Sequence, residues 1–581
     1  MKQFLKFTLA SIVGVIIASF LGMLIFFGIL GAIAGSSEKE TEVKSNSIYQ
    51  LDLNGSLIDR SEDDPFSAAF AEAFGQPEQA VLGLDDVLAN IKKAKNDENI
   101  KGIYLKGGML MGGFASFKEI RDALIDFKKS GKFIVAYADN YLQRNYYLVS
   151  VADKILINPQ GMVELKGLSA ELVFFKNTLE KLGIDMQVVK VGTFKSAVEP
   201  YINTKMSDPN REQVTVYMNS IWNTMLKQVS ASRKITVENL NKYADEMMMF
   251  QPTEKSKEYA LVDSLVYADE VDSILGKYVK DFHLVKHGAM NKLPDNSKFE
   301  KEKLAVIYAV GGIDGGDNEG IVSSELVETI NKVAKDESVK AVVFRVSSPG
   351  GSAYGSEQIW RALTQLKLKK PLIVSMGDYA ASGGYYISCM ADVIVAQPNT
   401  ITGSIGIFGL IPNIQGLNNK IGLTYDGVKT NKLSDAISIN RPFRPEEKEL
   451  MQNYVNRGYE LFVKRCADGR KKSVEQIKAI AEGRVWTGED ALKIGLVDKI
   501  GGLDDAIKLA VAKSKLKAYQ VKEFPVKENF ETKLMKSFGE DMETRFVKAQ
   551  FGEHYAIFKQ IKDAEKLNGI QARLPYDILI K

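Results

Sequence analysis

The pattern of hydrophobic and polar positions divides the chain into a leader and two similar blocks. Between Phe7 and Ala34 no residue is charged, a run of 28 positions. As a helix this run exceeds the ~30 Å hydrocarbon core of a bilayer, so it can span with some tilt. Lys2 and Lys6 precede it, which puts the N-terminus in the cytoplasm and the bulk of the chain outside. A cleaved leader is the competing reading, since Ala32-Ile33-Ala34 has the small-x-small form of a processing site. The apolar run is longer than an ordinary leader core, which favours an uncleaved single-pass anchor at 1–36. A polar linker at 37–47 follows.

Past the linker, Ile48 to Ile58 alternates and breaks at Asn54-Gly55, as a strand entering a turn does. Helical spacing runs from Asp85 to Lys95, with Val87, Leu88, Ile91 and Ala94 on one side. A strand (Ile100 to Leu105), a glycine-rich turn (Gly107, Gly108, Gly112, Gly113), a helix (Phe117 to Phe127) and a strand (Phe133 to Ala136) come next. The same order returns after residue 300. Leu304 to Val310 is a strand, Leu326, Ile330 and Val333 mark a helix, and Val339 to Val346 is a strand. The turn Ser348-Pro349-Gly350-Gly351, a helix around Ile359 and Leu363, and a strand at Leu372 to Val374 follow.

Asp97-Glu98 matches Asp336-Glu337, Tyr146-Tyr147 matches Tyr385-Tyr386, and Ala152-Asp153 matches Ala391-Asp392, each pair 239 positions apart. An ungapped offset held over that span is an internal duplication. Strands alternating with helices imply parallel sheets, hence two related α/β domains, expected at 48–295 and 300–525. Each copy continues into a helical stretch, about Asp208 to Ser232 and Pro445 to Ala467, and closes on Ala260-Leu261-Val262-Asp263 or Gly495-Leu496-Val497-Asp498. In the tail, 526–581, Phe530, Leu534, Phe538, Met542 and Phe546 recur every fourth position. That stripe predicts an amphipathic helix packed on the body or on another subunit.

Composition narrows the function. A net charge of +3 over 581 residues, with no basic block, argues against a nucleic-acid partner. Two cysteines, Cys389 and Cys466, rule out a disulfide framework and the usual zinc spacings. The three histidines are His283, His287 and His554. His283 and His287 are spaced to share one face of a helix, but no acidic partner of the HExxH kind accompanies them. Gly311-Gly312-Ile313-Asp314-Gly315-Gly316 has the wrong spacing for a dinucleotide fingerprint and reads as a turn.

The candidate chemistry lies in Pro371 to Tyr386, where a strand meets a helix at Ser382-Gly383-Gly384. A serine in such a turn is exposed, with the following N–H groups aimed at its hydroxyl, which suits acyl transfer. Small residues there also let a helix pack on a strand, so the sequence of one copy leaves both roles open. The duplication separates them. The first copy carries Gln143-Arg144-Asn145 at the matching positions, so a purely architectural need would have been abandoned there. With no histidine nearby, the base is a lysine kept neutral by burial. Lys195, within Gly192-Thr193-Phe194-Lys195-Ser196-Ala197-Val198-Glu199-Pro200, lies among apolar and small neighbours, and its counterpart is Ser434. Each copy thus holds the half that the other lacks. The site must form between domains or between subunits.

Ser348 to Gly351, Tyr379 to Tyr386, Thr402-Gly403-Ser404-Ile405-Gly406 and Thr193 to Pro200 together resemble signal peptide peptidase A (protease IV) of the long, tandem-domain type. The resemblance covers essentially the whole chain. It implies a ClpP/crotonase-like fold, a Ser–Lys dyad serine protease without metal or cofactor, and a homo-oligomer, tetrameric in the long type. It also implies membrane-bound remnant signal peptides as substrates and a bacterial inner membrane location with the catalytic part periplasmic. By position, Ser382 resembles the nucleophile, Lys195 the general base and Ser404 the hydroxyl that orients the lysine. Gly383 and either Gly350 or Gly351 resemble the oxyanion donors. Two other classes compete: a crotonase-like acyl-CoA enzyme, which the exported location disfavours, and a non-catalytic membrane scaffold, which the retained Ser382, Lys195 and Ser404 disfavour. The apolar stretch Gly108-Met109-Leu110-Met111 suits either a substrate groove or core packing.

Overall fold

The computed structural model describes residues 43–61, 81–293, 300–315, 320–527 and 569–574, with a few positions between 6 and 21. The tail stripe at 530–546 and most of the uncharged run at 7–34 lie outside the described residues. Among the described residues no helix is long and apolar enough to cross a membrane.

The first half contributes β1 (Ser47–Ile58), β2 (Val81–Gly83), β3 (Ile100–Met111), β4 (Phe133–Tyr141) and β5 (Lys154–Val163). Then β6 (Asp185–Val191) leaves this sheet, while β7 (Ser264–Leu265) and β8 (His283–Lys286) return to it. The order is β2-β1-β3-β4-β5-β7, with β8 also on β1, and every pairing is parallel. The central strands are apolar on both faces because helices cover both. In β4, Ile134, Ala136 and Ala138 enter one core cluster and Val135 and Tyr137 the opposite one.

The second half repeats the plan with β9 (Lys303–Val310), β10 (Val339–Ser348), β11 (Gly350–Ser352), β12 (Leu372–Ala381), β13 (Val393–Ala396) and β14 (Ile401–Gly403). After β15 (Ile407–Asn413) come β16 (Val485–Thr487), β17 (Lys499–Ile500), β18 (Gln520–Phe524) and β19 (Gly569–Arg573). Its sheet runs β16-β14-β12-β10-β9-β18, parallel except where β16 meets β14. The duplication holds in the coordinates: helices at Leu84–Asn96 and Phe114–Lys128 recur at Ser323–Lys335 and Ala353–Lys367, each shifted by 239.

Two sequence expectations need correction. Gly107 and Gly108 do not form a turn; β3 runs through both to Met111. Glycine suits this stretch of strand, because a Cβ on Gly107 would stand 2.3 Å from that of Ala138 on β4. His283 and His287 do not share a helix either. The first lies in β8, and His287 opens a short helix where its Nδ1 meets the Tyr49 hydroxyl at 2.7 Å.

A small third sheet, β11-β19-β15-β6, is antiparallel and joins the halves, since β6 pairs along its whole length with β15. A buried ionic cluster joins them a second time. Arg345 on β10 meets Asp59, just past β1, at 2.8 Å and Glu119 of the 114–128 helix at 2.7 Å. Asp378 on β12 accepts from the Ala115 and Ser116 N–H groups and the Ser116 hydroxyl at that helix's N-terminus. A Cβ on Gly113 would fall 2.0 Å from the Asp378 carboxyl, so only glycine admits this approach. Arg345→Met leaves two buried carboxylates without their cation and should cost about 3–5 kcal/mol in denaturant unfolding. Replacing Arg345, Asp59 and Glu119 together by apolar residues should recover most of that loss. If the single variant proves as stable as wild type, the cluster is not what holds the halves together.

Candidate active site

The site grows out of strand ends. β12 delivers Ser382 at its C-terminal end, and the helix Gly383–Tyr386 starts immediately after it. This strand is longer than the Leu372 to Val374 expected from sequence, because the small residues Ala380 and Ala381 continue it, fully buried. The Ser382 backbone has φ 54° and ψ −113°, a strained conformation for a residue with a side chain. It is held there by the Ser382 N–H, which donates to the Gly403 carbonyl at 2.8 Å.

β6 and β15 run antiparallel, with Val191 opposite Ile407. The residues following β6 and those preceding β15 therefore meet at one end of the pair. These are Lys195 and Ser404. The lysine Nζ lies 2.8 Å from Ser382 Oγ, 3.0 Å from Ser404 Oγ and 3.2 Å from the Ser404 carbonyl oxygen. All three residues are fully buried. Burial, with no acid opposing it, holds the Lys195 amine well below the usual 10.5 of a lysine. A neutral amine has two N–H donors and one lone pair. The two Ser404 oxygens take the donors, and the lone pair is left to accept the Ser382 hydroxyl proton. Both partners belong to one chain, so the two halves build the cluster without a second subunit.

Residues that carried no sequence signal fix the lysine. The Phe194 N–H donates to the Glu482 carbonyl at 2.9 Å, and the Thr193 N–H to the Glu482 carboxylate at 3.0 Å. Gly483 (φ +76°) backs so closely on Lys195 that a Cβ there would sit 2.7 Å from the lysine's own. The Gln213 amide donates to the Phe194 carbonyl and the Ser196 hydroxyl, both at 3.0 Å, while its oxygen accepts from the Val485 N–H. The contacts that reach Glu482 and Val485 span 272 positions or more between the two halves, which hides them from any local pattern.

The glycine turn faces the serine. The Gly350 N–H is directed to the Ser348 hydroxyl at 3.2 Å, whereas Gly351 stands opposite Ala572 of β19. In the first copy the corresponding space is filled. The Gln143 amide donates to the Gly167 carbonyl, Arg144 to the Gly112 carbonyl and Asn145 to the Gly108 carbonyl. Ser434, the counterpart of Lys195, is exposed in a loop and donates to the Asn431 carbonyl. Of the stretch 108–111, Met109 and Met111 are exposed and Leu110 is buried.

Comparison with known proteins agrees with this duplication. The model of peptidase family S49 matches twice, at residues 126–280 and 364–517. Protease 4 of Salmonella typhi is 38% identical over 84% of this chain and 81% of its own. Protease 4 of Haemophilus influenzae is 35% identical over 84% and 83%, and the chloroplastic serine protease SPPA of Arabidopsis thaliana 33% over 75% and 66%. A mutant ClpP1 from Listeria monocytogenes superposes with a TM-score of 0.24 at 15% identity, covering 35% of this chain and 94% of that one, too loosely to carry an argument. The chain belongs to peptidase family S49 and is a serine protease of the tandem-domain, signal peptide peptidase A type.

Proposed function

We propose that Ser382 and Lys195 are the nucleophile and general base of this protease, and that its substrates are apolar peptides, remnant signal peptides foremost. The observation that carries the reading is a fully buried, acid-free lysine amine 2.8 Å from a serine hydroxyl in a strained turn. The neutral amine takes the Ser382 proton as Oγ attacks the peptide carbonyl, then returns it to the leaving amine. It next removes a proton from the water that releases the acyl-enzyme. Ser404 orients the amine throughout. The oxyanion donors are the N–H groups of Gly383 and Gly351. Gly350 is the weaker candidate, because its N–H already has the Ser348 hydroxyl.

The uncharged run before residue 35 anchors this activity in the bacterial inner membrane with the body on the periplasmic side. The protein works as a homo-oligomer, a tetramer by resemblance to the long type. Support for self-association comes from the pseudo-symmetry. Residues 424–430 occupy the position of β6 in the second copy, yet form no strand, and Ile421, Leu423, Tyr425 and Val428 stand exposed. Their natural partner is the counterpart of β15 in another subunit, at 168–174, where Val173 is also exposed.

Ser382→Ala and Lys195→Ala should each lower kcat/KM for a fluorogenic apolar peptide by roughly 10³-fold or more, with folding intact. Lys195→Arg should not rescue, because a guanidinium stays charged. Unchanged turnover in both alanine variants would return Ser382 to a packing role. Ser404→Ala should reduce kcat about 10- to 100-fold with little effect on KM, the loss of one positioning hydrogen bond.

Lys195 also sets two pH dependences. Activity requires the neutral amine, so kcat/KM should fall toward acid through the lowered lysine pKa, and Lys195→Ala should lack that limb. For stability, the unfolded lysine holds its proton up to about 10.5 while the folded one releases it earlier. The unfolded chain then binds more protons, and wild-type stability gains about 1.4 kcal/mol per pH unit across that window. Lys195→Met should therefore be more stable than wild type at neutral pH, with the advantage shrinking as pH approaches that of a free lysine. For assembly, Val428→Lys should reduce the oligomer size measured by light scattering. An unchanged mass would remove this segment from the interface.

A further inference from the structure

We infer that residues 569–574 of the chain occupy the place of a peptide substrate, with Ala572 at the acyl position, so that incoming peptides compete with the chain's own C-terminal strand. The inference rests on the serine–lysine reading above. β19 lies between β11 and β15 and pairs antiparallel with both. Gly350, Gly351 and Ser352 stand opposite Arg573, Ala572 and Gln571, while Phe408 and Gly409 stand opposite Gln571 and Ile570. Removing β19 would leave a slot two strand spacings wide, about 9.6 Å, with unpaired N–H and C=O groups on both sides. Such a slot accepts one extended peptide and little else.

The register is what makes this strand a substrate mimic. The Leu574 N–H donates to the Pro349 carbonyl at 2.7 Å. In an antiparallel ladder the hydrogen-bonded pairs recur every second residue, so the Gly351 N–H is directed to the Ala572 carbonyl. The same oxygen lies against Gly350 and Gly383: a Cβ added to either would come within 2.1 and 2.9 Å of it. The Ala572 carbonyl thus sits beside the backbone donors proposed for the oxyanion, in the turn that holds Ser382. Ala572 is wholly buried, and three glycines leave room there for a small side chain only. Leu574, 3% exposed, enters the core cluster of the first half beside Ala381, Ile401 and Val485. The strand therefore touches both halves at their seam. It also accounts for a nucleophile with no exposed surface, since Ser382 cannot meet an external peptide while the slot is filled.

Three proteins decide the matter: the full chain, a chain ending after residue 568, and the full chain with Ala572→Trp. The first change removes the strand, and the second makes its acyl residue too large for the glycine-lined position. If the strand fills the slot about nine-tenths of the time, both variants should turn over a fluorogenic peptide with KM about tenfold lower and kcat unchanged. A synthetic, end-blocked peptide of residues 569–574 should inhibit the truncated enzyme competitively, and the same peptide with tryptophan for alanine should not. Equal KM in all three proteins, or no inhibition by the peptide, overturns the inference. Ser382→Ala in the truncated chain separates the two levels of argument. Abolished turnover with unchanged KM on truncation sinks the strand's role alone, whereas surviving turnover sinks the serine–lysine reading as well.

Discussion

The antiparallel pairing of β6 with β15 is the constraint on which the site depends. β6 comes from the first copy and β15 from the second, and seven residues of each stand opposite one another. Backbone ladders tolerate no half-register, because a slip of one residue would turn every side chain to the other face. The pairing therefore fixes where Lys195 emerges relative to Ser404, and through the Gly403 carbonyl relative to Ser382. Glu482, Gly483 and Gln213 then lock the segment sideways. A buried lysine amine is stable in this setting only as the neutral base, since the cavity supplies two oxygens for its two N–H groups and no carboxylate for a charge.

The two copies have divided one task. The first keeps the β-α-β core and the lysine strand but has plugged its own turn with Gln143, Arg144 and Asn145, whose side chains satisfy carbonyls that an open site would leave free. The second keeps the open glycine turn and has let the lysine strand lapse into an exposed loop. Neither half is complete. The ionic cluster of Arg345, Asp59 and Glu119 holds the seam on which that completeness depends.

The sequence alone determined a good deal. Alternation and helical spacing gave the order of strands and helices in both copies, because burial on one or both faces imposes those periods directly. The fixed offset located Ser382 and Lys195 by showing what each copy had lost, and the motifs around them carried the family. Strand ends were less visible: β3 runs through glycines that read as a turn, since a close approach to Ala138 and a turn both call for the same residue.

Only the tertiary structure decided how the halves meet. That Lys195 and Ser382 join within one chain follows from strand pairing across more than two hundred positions, and no local pattern encodes which edge finds which. The preference for Gly351 over Gly350 likewise depends on a ladder whose partner, β19, lies far along the chain. The supporting residues Glu482, Gly483 and Gln213 act through backbone geometry and close approach. Such interactions constrain position rather than residue type, and so leave almost no trace in the sequence.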